Sequence, residues 1–185
     1  NGKMFINCMS ELMNDPAYGH TNHNIVPRRI MMHMDKQQVI GELNRFLRGR
    51  YMGIQQYEQL IHHAKDQQLK EMLQKFQKHA KLGAQKVADR IKQLGGDPVD
   101  GVGILGEIRL WMSKFKGYPT NTADILQDAY IGENKYGIHM SHDMVAGDLD
   151  EESTKLVDEI LEEDQKRVDQ MVKWLKSMNV PIKQS

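Results

Sequence analysis

The chain has 185 residues, enough for one domain with a sizeable hydrophobic core. Its 25 lysine and arginine residues balance 25 aspartate and glutamate residues, so it lacks the net positive field that favours nucleic acid or anionic membranes. No run is long and apolar enough to span a bilayer. The lone Cys8 excludes an intramolecular disulfide framework and, with no N-terminal segment resembling a signal peptide, favours the cytoplasm or an intracellularly assembled structure.

Hydrophobic periodicity predicts two long helices in the first half of the chain. Asp35 and Gln38 resemble a capping box that opens the first helix. Asp66 is expected to cap the second, and Gly95-Gly96 is expected to end it. The apolar stripes are Leu43, Leu47, Ile54, Tyr57 and Ile61 on the first helix, then Leu69, Met72, Phe76, Ala80, Gly83, Val87, Ile91 and Leu94 on the second.

Two further helices are predicted after a long connection. The third runs from about Thr122 to Ala146. The fourth is closed by Pro181, and its start carries the acidic residues Asp148, Asp150, Glu151 and Glu152. Their stripes are Leu126, Ala129, Glu133, Tyr136, Met140 and Met144, then Val157, Ile160, Asp164, Val168, Met171, Leu175 and Met178. Short connections flanking one long crossover predict an all-α four-helix bundle with parallel second and third helices. We expect a bundle at residues 35–180, an N-terminal extension at 1–34 and a tail at 181–185.

Charged residues interrupt these stripes near the middle of three helices. Arg50, Glu133, Asp164 and Arg167 are expected at similar heights in the core, where four ionisable groups are costly unless they bind a metal or neutralise one another. We predict a buried salt-bridge network in which Arg50 pairs with Glu133, while Arg167 pairs with Asp164 or reaches Glu133. The alternative is that the arginines extend to the bundle edge and the carboxylates face water.

Several segments resemble ferritin-like proteins. The segment from Ile91 to Pro98 resembles the end of the second helix in bacterioferritin-like and rubrerythrin-like proteins, and Leu43-Asn44 and Gln56-Tyr57 are also similar. Residues 106–112 resemble an uncharacterised ferritin-like family whose crossover carries a Gly-x-x-x-x-Trp-Met pattern. The resemblance covers roughly residues 36–178 and implies a ferritin-like bundle with a long crossover.

The resemblance also implies where di-iron ligands would lie. Such bundles use a carboxylate from each of two helices and a Glu-x-x-His pair from each of the others. The first carboxylate position falls on Arg50, the second-helix pair on Ala80 and Gly83, the third-helix carboxylate on Glu133, and the last pair on Asp164 and Arg167. Arginine stays protonated and repels a cation, so the resemblance implies a degenerate di-iron site without a cofactor.

Two other groups of residues could bind metal. His139 and His142 lie one turn apart and could ligate a transition metal, alone or with Glu133 and Asp164, although a polar helix face gives the same spacing. Residues 1–34 are rich in methionine and histidine, which could bind copper or zinc. We favour an arm that packs on this bundle or on a neighbour, because methionine adapts to irregular apolar surfaces. Its apolar residues are Phe5, Ile6, Met9, Leu12 and Met13.

The sequence therefore favours a non-catalytic, ferritin-like structural protein that associates with itself or with a larger assembly, such as a shell or coat, through its N-terminal arm. Neither nucleic acid nor a membrane span is expected. The first alternative is an iron-binding or di-iron oxidoreductase with rearranged ligands. The second is a soft-metal protein that binds copper through the arm.

Overall fold

The computed structural model of the chain describes residues 36–101, 119–139, 141 and 149–183. It contains α1 (Lys36–His63), α2 (Gln67–Gln93), α3 (Thr122–Ile131) with a π-helical continuation (Gly132–His139), and α4 (Glu151–Ser177). The prediction of an all-α fold with four helices packed as a bundle is confirmed. The predicted cap Asp35 and the arm residues lie outside the described residues.

Local chemistry fixes the ends of these helices. The Asp66 carboxylate accepts a hydrogen bond from the Leu69 amide at 2.7 Å, and Asp150 accepts one from the Ser153 amide at 2.8 Å. Gly95 ends α2 with φ of +83°, a left-handed conformation that glycine adopts without steric cost. The predicted cap at Asp66 and the predicted glycine stop are therefore both present.

The direction of the helices follows from contacts at the two ends of the bundle. Leu126 of α3 belongs to the same core cluster as Leu60 and Leu69, so α3 begins where α1 ends and α2 starts. At the opposite end, the Asn44 side chain bonds to Asp97 and Val99, just after α2. Helix α3 therefore begins at the same end of the bundle as α2 and runs parallel to it, as predicted.

The buried apolar residues form two clusters, one toward each end of the bundle. The first cluster includes Leu43, Phe46 and Val87, and the second includes Leu60, Phe76 and Met171. On α4, Asp164 and Arg167 fall between the residues of the two clusters, whereas Arg50 on α1 lies between Leu47 and Ile54 of the first cluster. None of the described helices is long and apolar enough to cross a membrane.

Candidate functional site

Four charged side chains are buried in the core of the bundle. Asp164 has no exposed surface, and Arg167, Arg50 and Glu133 are 3%, 6% and 8% exposed. They come from α1, the π-helical segment and α4, so the layer depends on tertiary packing. Ionised groups at this depth are stable only when they are paired and hydrogen-bonded.

Asp164 binds both guanidinium groups. Nη1 of Arg50 donates to Oδ2 of Asp164, and Nη2 donates to Oδ1 at 3.1 Å, which makes a bidentate pair. Nη2 of Arg167, one turn further along α4, also donates to Oδ1 of Asp164. One carboxylate therefore joins α1 to α4 and connects the two arginines.

Glu133 is bound by Arg167 and by a tyrosine. Nε of Arg167 donates to Oε1 of Glu133 at 3.1 Å, and Nη2 donates to the same oxygen. The Tyr57 hydroxyl donates to Oε2 at 2.7 Å. The predicted buried salt-bridge network is present, but the predicted pairing of Arg50 with Glu133 is wrong. Both oxygens of Glu133 already have donors, whereas Asp164 accepts the forked guanidinium of Arg50.

The network is electrically balanced, with two guanidinium groups facing two carboxylates. Burial alone lowers the pKa of Arg167, but the nearby charges of Glu133 and Asp164 outweigh burial and raise that pKa above its usual value. Arg167 therefore remains a cation, held between two carboxylates.

The space for Arg50 depends on small and aromatic neighbours. A Cβ atom added at Gly83 would lie 3.7 Å from Nη2 of Arg50, so a long side chain there would displace the guanidinium. The guanidinium carbon lies 5.8 Å from the centre of the Phe46 ring. Nε of Arg50 has no hydrogen-bond acceptor, and Arg50 also lines a cavity of about 20 Å³, room for about one water molecule.

Tyr57 is expected to make stability depend on pH in alkaline solution. Burial, and then the charge of Glu133, raise the pKa of Tyr57 well above its usual value. An unfolded tyrosine loses its proton near pH 10, so the contribution of Tyr57 is complete below about pH 10 and is lost as the pH rises further. We expect Tyr57→Phe to cost about 1–2 kcal/mol at pH 8, because Glu133 loses a donor, and to cost about 1 kcal/mol less at pH 11.

Urea unfolding of wild type and Tyr57→Phe at both pH values checks this prediction. Tyr130→Phe is the matched control, since Tyr130 is only partly buried and packs on the apolar cluster at one end of the bundle. An equal cost of Tyr57→Phe at pH 8 and pH 11 would contradict the prediction.

The third helix changes form just before Glu133. A continuous helix to about Ala146 was expected, but the α-helix ends at Ile131 and a π-helical turn follows from Gly132. The wider turn adds a residue to the helix and changes which side chains face the core. Residue 140 and residues 142–148 lie outside the described part of the chain, as do the predicted stripe residues Met140 and Met144.

Gly132 allows α1 to approach the start of this π-helical segment. A Cβ atom at Gly132 would overlap Oε1 of Gln56, whose Nε2 donates to the Asp128 carbonyl at 3.0 Å. We expect Gly132→Ala to displace the Gln56 amide and to be about 1 kcal/mol less stable than Gly137→Ala in urea unfolding, because only Gly132→Ala removes the hydrogen bond to the Asp128 carbonyl, while both gain the higher helix propensity of alanine. Gly137→Ala is the matched control, because its Cβ would meet Glu133 only at an ordinary 3.7 Å. Equal stability of the two variants would refute a special role for Gly132.

The residues at the implied di-iron positions do not fit a di-iron centre. Two positions hold Arg50 and Arg167, whose guanidinium groups bind the only two carboxylates of the set. Ala80 and Gly83 are buried and have no ligand atom. Within the described ranges, no three His, Cys, Asp or Glu side chains form a group that could hold a metal ion.

The other predicted metal ligands do not join this layer in the described structure. His139 is exposed at the end of the π-helical segment, and His142 lies outside the described residues. The arm residues Phe5, Ile6, Met9, Leu12 and Met13 also lie outside them, so the arm and its binding of metal remain predictions.

The sequence interpretation missed the role of Tyr57. It assigned Tyr57 to the apolar stripe, and the residue is indeed only 3% exposed. A buried tyrosine hydroxyl usually needs a hydrogen-bond partner, and Tyr57 lies seven residues after Arg50 on the same helix face. That spacing was the available indication that it belongs to the polar layer.

One family matches the chain, with the description "domain of unknown function (DUF2383)", over residues 38–147. The match includes Arg50 and Glu133 but ends before α4, which carries Asp164 and Arg167. No curated protein and no solved structure matches the chain. Since the matched residues make up more than half of its 185 residues, the chain belongs to this family of unknown function.

Proposed function

We propose that this protein is a non-catalytic, ferritin-like structural protein whose di-iron site has been replaced by a buried salt-bridge network. It would assemble with copies of itself, or within a larger shell or coat, through its N-terminal arm. The observation that carries the proposal is the placement of both guanidinium groups. Arg50 and Arg167 bind the carboxylates of Asp164 and Glu133 that a metal would need.

The chemistry of this layer supports a role in holding helices together. Asp164 links α1 to α4, and Arg167 links α4 to the π-helical segment. A cation entering the layer would have to displace two permanently charged guanidinium groups, whose repulsion it would also meet. The ferritin-like assignment rests on the sequence resemblance and is consistent with the helix directions.

Metal analysis of the natively purified full chain tests the structural role. We expect wild type to contain no stoichiometric iron. The variant Arg50→Glu is analysed beside it, because this variant restores a carboxylate at the first-helix position. Lys92→Glu, an exposed position on α2, is the control for the change in charge. Iron near two atoms per wild-type chain would overturn the proposal and favour the oxidoreductase, whereas stoichiometric copper would favour the soft-metal protein.

Light scattering of the full chain tests the arm. Ile6→Asp with Leu12→Asp places two charges on its apolar residues, and Ser10→Asp with Asn14→Asp places the same charges on polar residues. We expect only the first pair of substitutions to reduce the mass of the assembly. An unchanged mass would remove the arm from the assembly mechanism.

A further inference from the structure

A groove of about 380 Å³ lies between α2 and α4, over the buried network. Leu82 on its α2 wall is 56% exposed and is the exposed large hydrophobic residue of the described chain. The side chain of buried Ile160 forms an apolar part of the floor. It lies close to α2, since a Cβ atom added at Gly83 would be 3.5 Å from Cγ2 of Ile160. Together the leucine and the floor give the groove an apolar surface, and the charges around it indicate what could cover that surface.

The two helices that form the walls of the groove carry opposite charge. Helix α2 has seven lysine or arginine residues and two acidic residues, a net charge of +5. Residues 151–163 at the start of α4 have six acidic residues and one lysine, a net charge of −5. His79 and Lys86 line the basic wall, and Glu159 and Glu163 line the acidic wall.

Most of this opposite charge is left unpaired across the groove. Arg90 pairs with Asp150 and Glu152 at one end, where α2 meets the start of α4. Glu163 pairs within its own helix with Lys166. Among the described residues, exposed Lys86 and Glu159 make no ion pair in the monomer, although they face the same groove.

From this pattern we infer that the groove is the contact between two copies of the chain, related by a two-fold axis along the groove. Such an axis places α2 of each copy on α4 of the other, so that the dimer contains two contacts between a basic wall and an acidic wall. Lys86 then faces the partner's Glu159, and His79 faces the partner's Glu163. Leu82 packs toward the partner's groove floor.

The surface is large enough for a stable dimer. Two helices of 27 residues are each about 40 Å long and about 10 Å wide, so the pair presents about 800 Å². That is the area which each partner buries in a standard protein–protein interface. The inference rests on the self-association in the proposed function. It assigns the contact within a dimer to the bundle, and the association of dimers into a larger assembly to the arm.

Reversing one charge on each wall tests the contact in the full chain. A dimer of Lys86→Glu would bring two carboxylates together at both contacts, and a dimer of Glu159→Lys would bring two ammonium groups together there. We expect each variant to raise the dimer dissociation constant at least tenfold, measured by analytical ultracentrifugation. The control variants Lys92→Glu and Glu162→Lys change exposed residues outside the groove and should leave the constant unchanged.

Mixing the two groove variants gives the decisive result. In a heterodimer of Lys86→Glu with Glu159→Lys, one contact joins the two substituted side chains and the other joins the two native ones, so both contacts carry opposite charges. It should form with near wild-type affinity, detected by native mass spectrometry with one variant labelled with ¹⁵N. The double variant should dimerise with itself for the same reason.

A monomeric wild type, or a dimer insensitive to these reversals, would overturn the groove contact. Neither result would bear on the metal content of the buried network, which tests the proposed function separately.

Discussion

Replacing Arg50 with methionine is expected to lower the free energy of unfolding by about 3–5 kcal/mol. The substitution leaves Asp164 and Glu133 buried with Arg167 as the only guanidinium in the network, so one negative charge is uncompensated. Methionine fills much of the volume of arginine, so lost packing contributes little of this cost. Urea unfolding at pH 7.5 measures the effect.

A second substitution separates the loss of charge balance from other effects. Arg50→Met with Asp164→Leu leaves Arg167 paired with Glu133 in a neutral core, and we expect it to regain most of the stability lost by Arg50→Met alone. Replacing a buried ion pair by apolar residues is often neutral or stabilising. If Arg50→Met unfolds at the wild-type urea concentration, or if the double variant is the less stable of the two, the buried network does not hold the bundle as described.

Replacing Arg167 with methionine is expected to cost a similar amount at pH 7.5, about 3–5 kcal/mol, with a dependence on pH. Arg50 still neutralises Asp164, but Glu133 keeps only the Tyr57 hydroxyl as a partner. A buried carboxylate without a cation has a raised pKa. The folded variant therefore takes up a proton as the pH falls, and its deficit relative to wild type should shrink between pH 7.5 and pH 5.

Urea unfolding at the two pH values checks this prediction. Arg167→Met with Glu133→Gln is the control, since glutamine accepts the Tyr57 hydrogen bond without a charge. That variant should be more stable than Arg167→Met at pH 7.5, and its difference from wild type should not shrink as the pH falls. A pH-independent deficit in Arg167→Met would show that Glu133 is not left as an uncompensated buried charge.

The helices themselves could be predicted because their determinants are local. Asp66 and Asp150 bond to amides three residues ahead, and Gly95 adopts its left-handed conformation through its own backbone freedom. Periodicity of 3.6 residues also placed Arg50 and Asp164 among core positions, and both are buried. The polar layer was therefore predictable as a set of residues.

The partners within that layer could not be predicted in the same way. Arg50 and Asp164 are 114 residues apart in the chain, and their pairing depends on the rotation and height of two helices. An error of one residue in either helix turns a side chain by about 100°, which is enough to exchange one carboxylate for another. The π-helical turn at Gly132 adds such a change beside Glu133.

The sequence by itself determined an all-α chain, the helix ends at Asp66 and Gly95, and a central set of two arginines and two carboxylates. These follow from periodicity, capping and the cost of burying charge, which act within a few residues or on the composition of a helix face. Tertiary structure alone decided that Arg50 binds Asp164 and that the Tyr57 hydroxyl donates a hydrogen bond to Glu133. It also decided that basic α2 and acidic α4 flank one groove, because hydrogen bonds and charge contacts between helices depend on distances of a few ångströms that no single helix specifies.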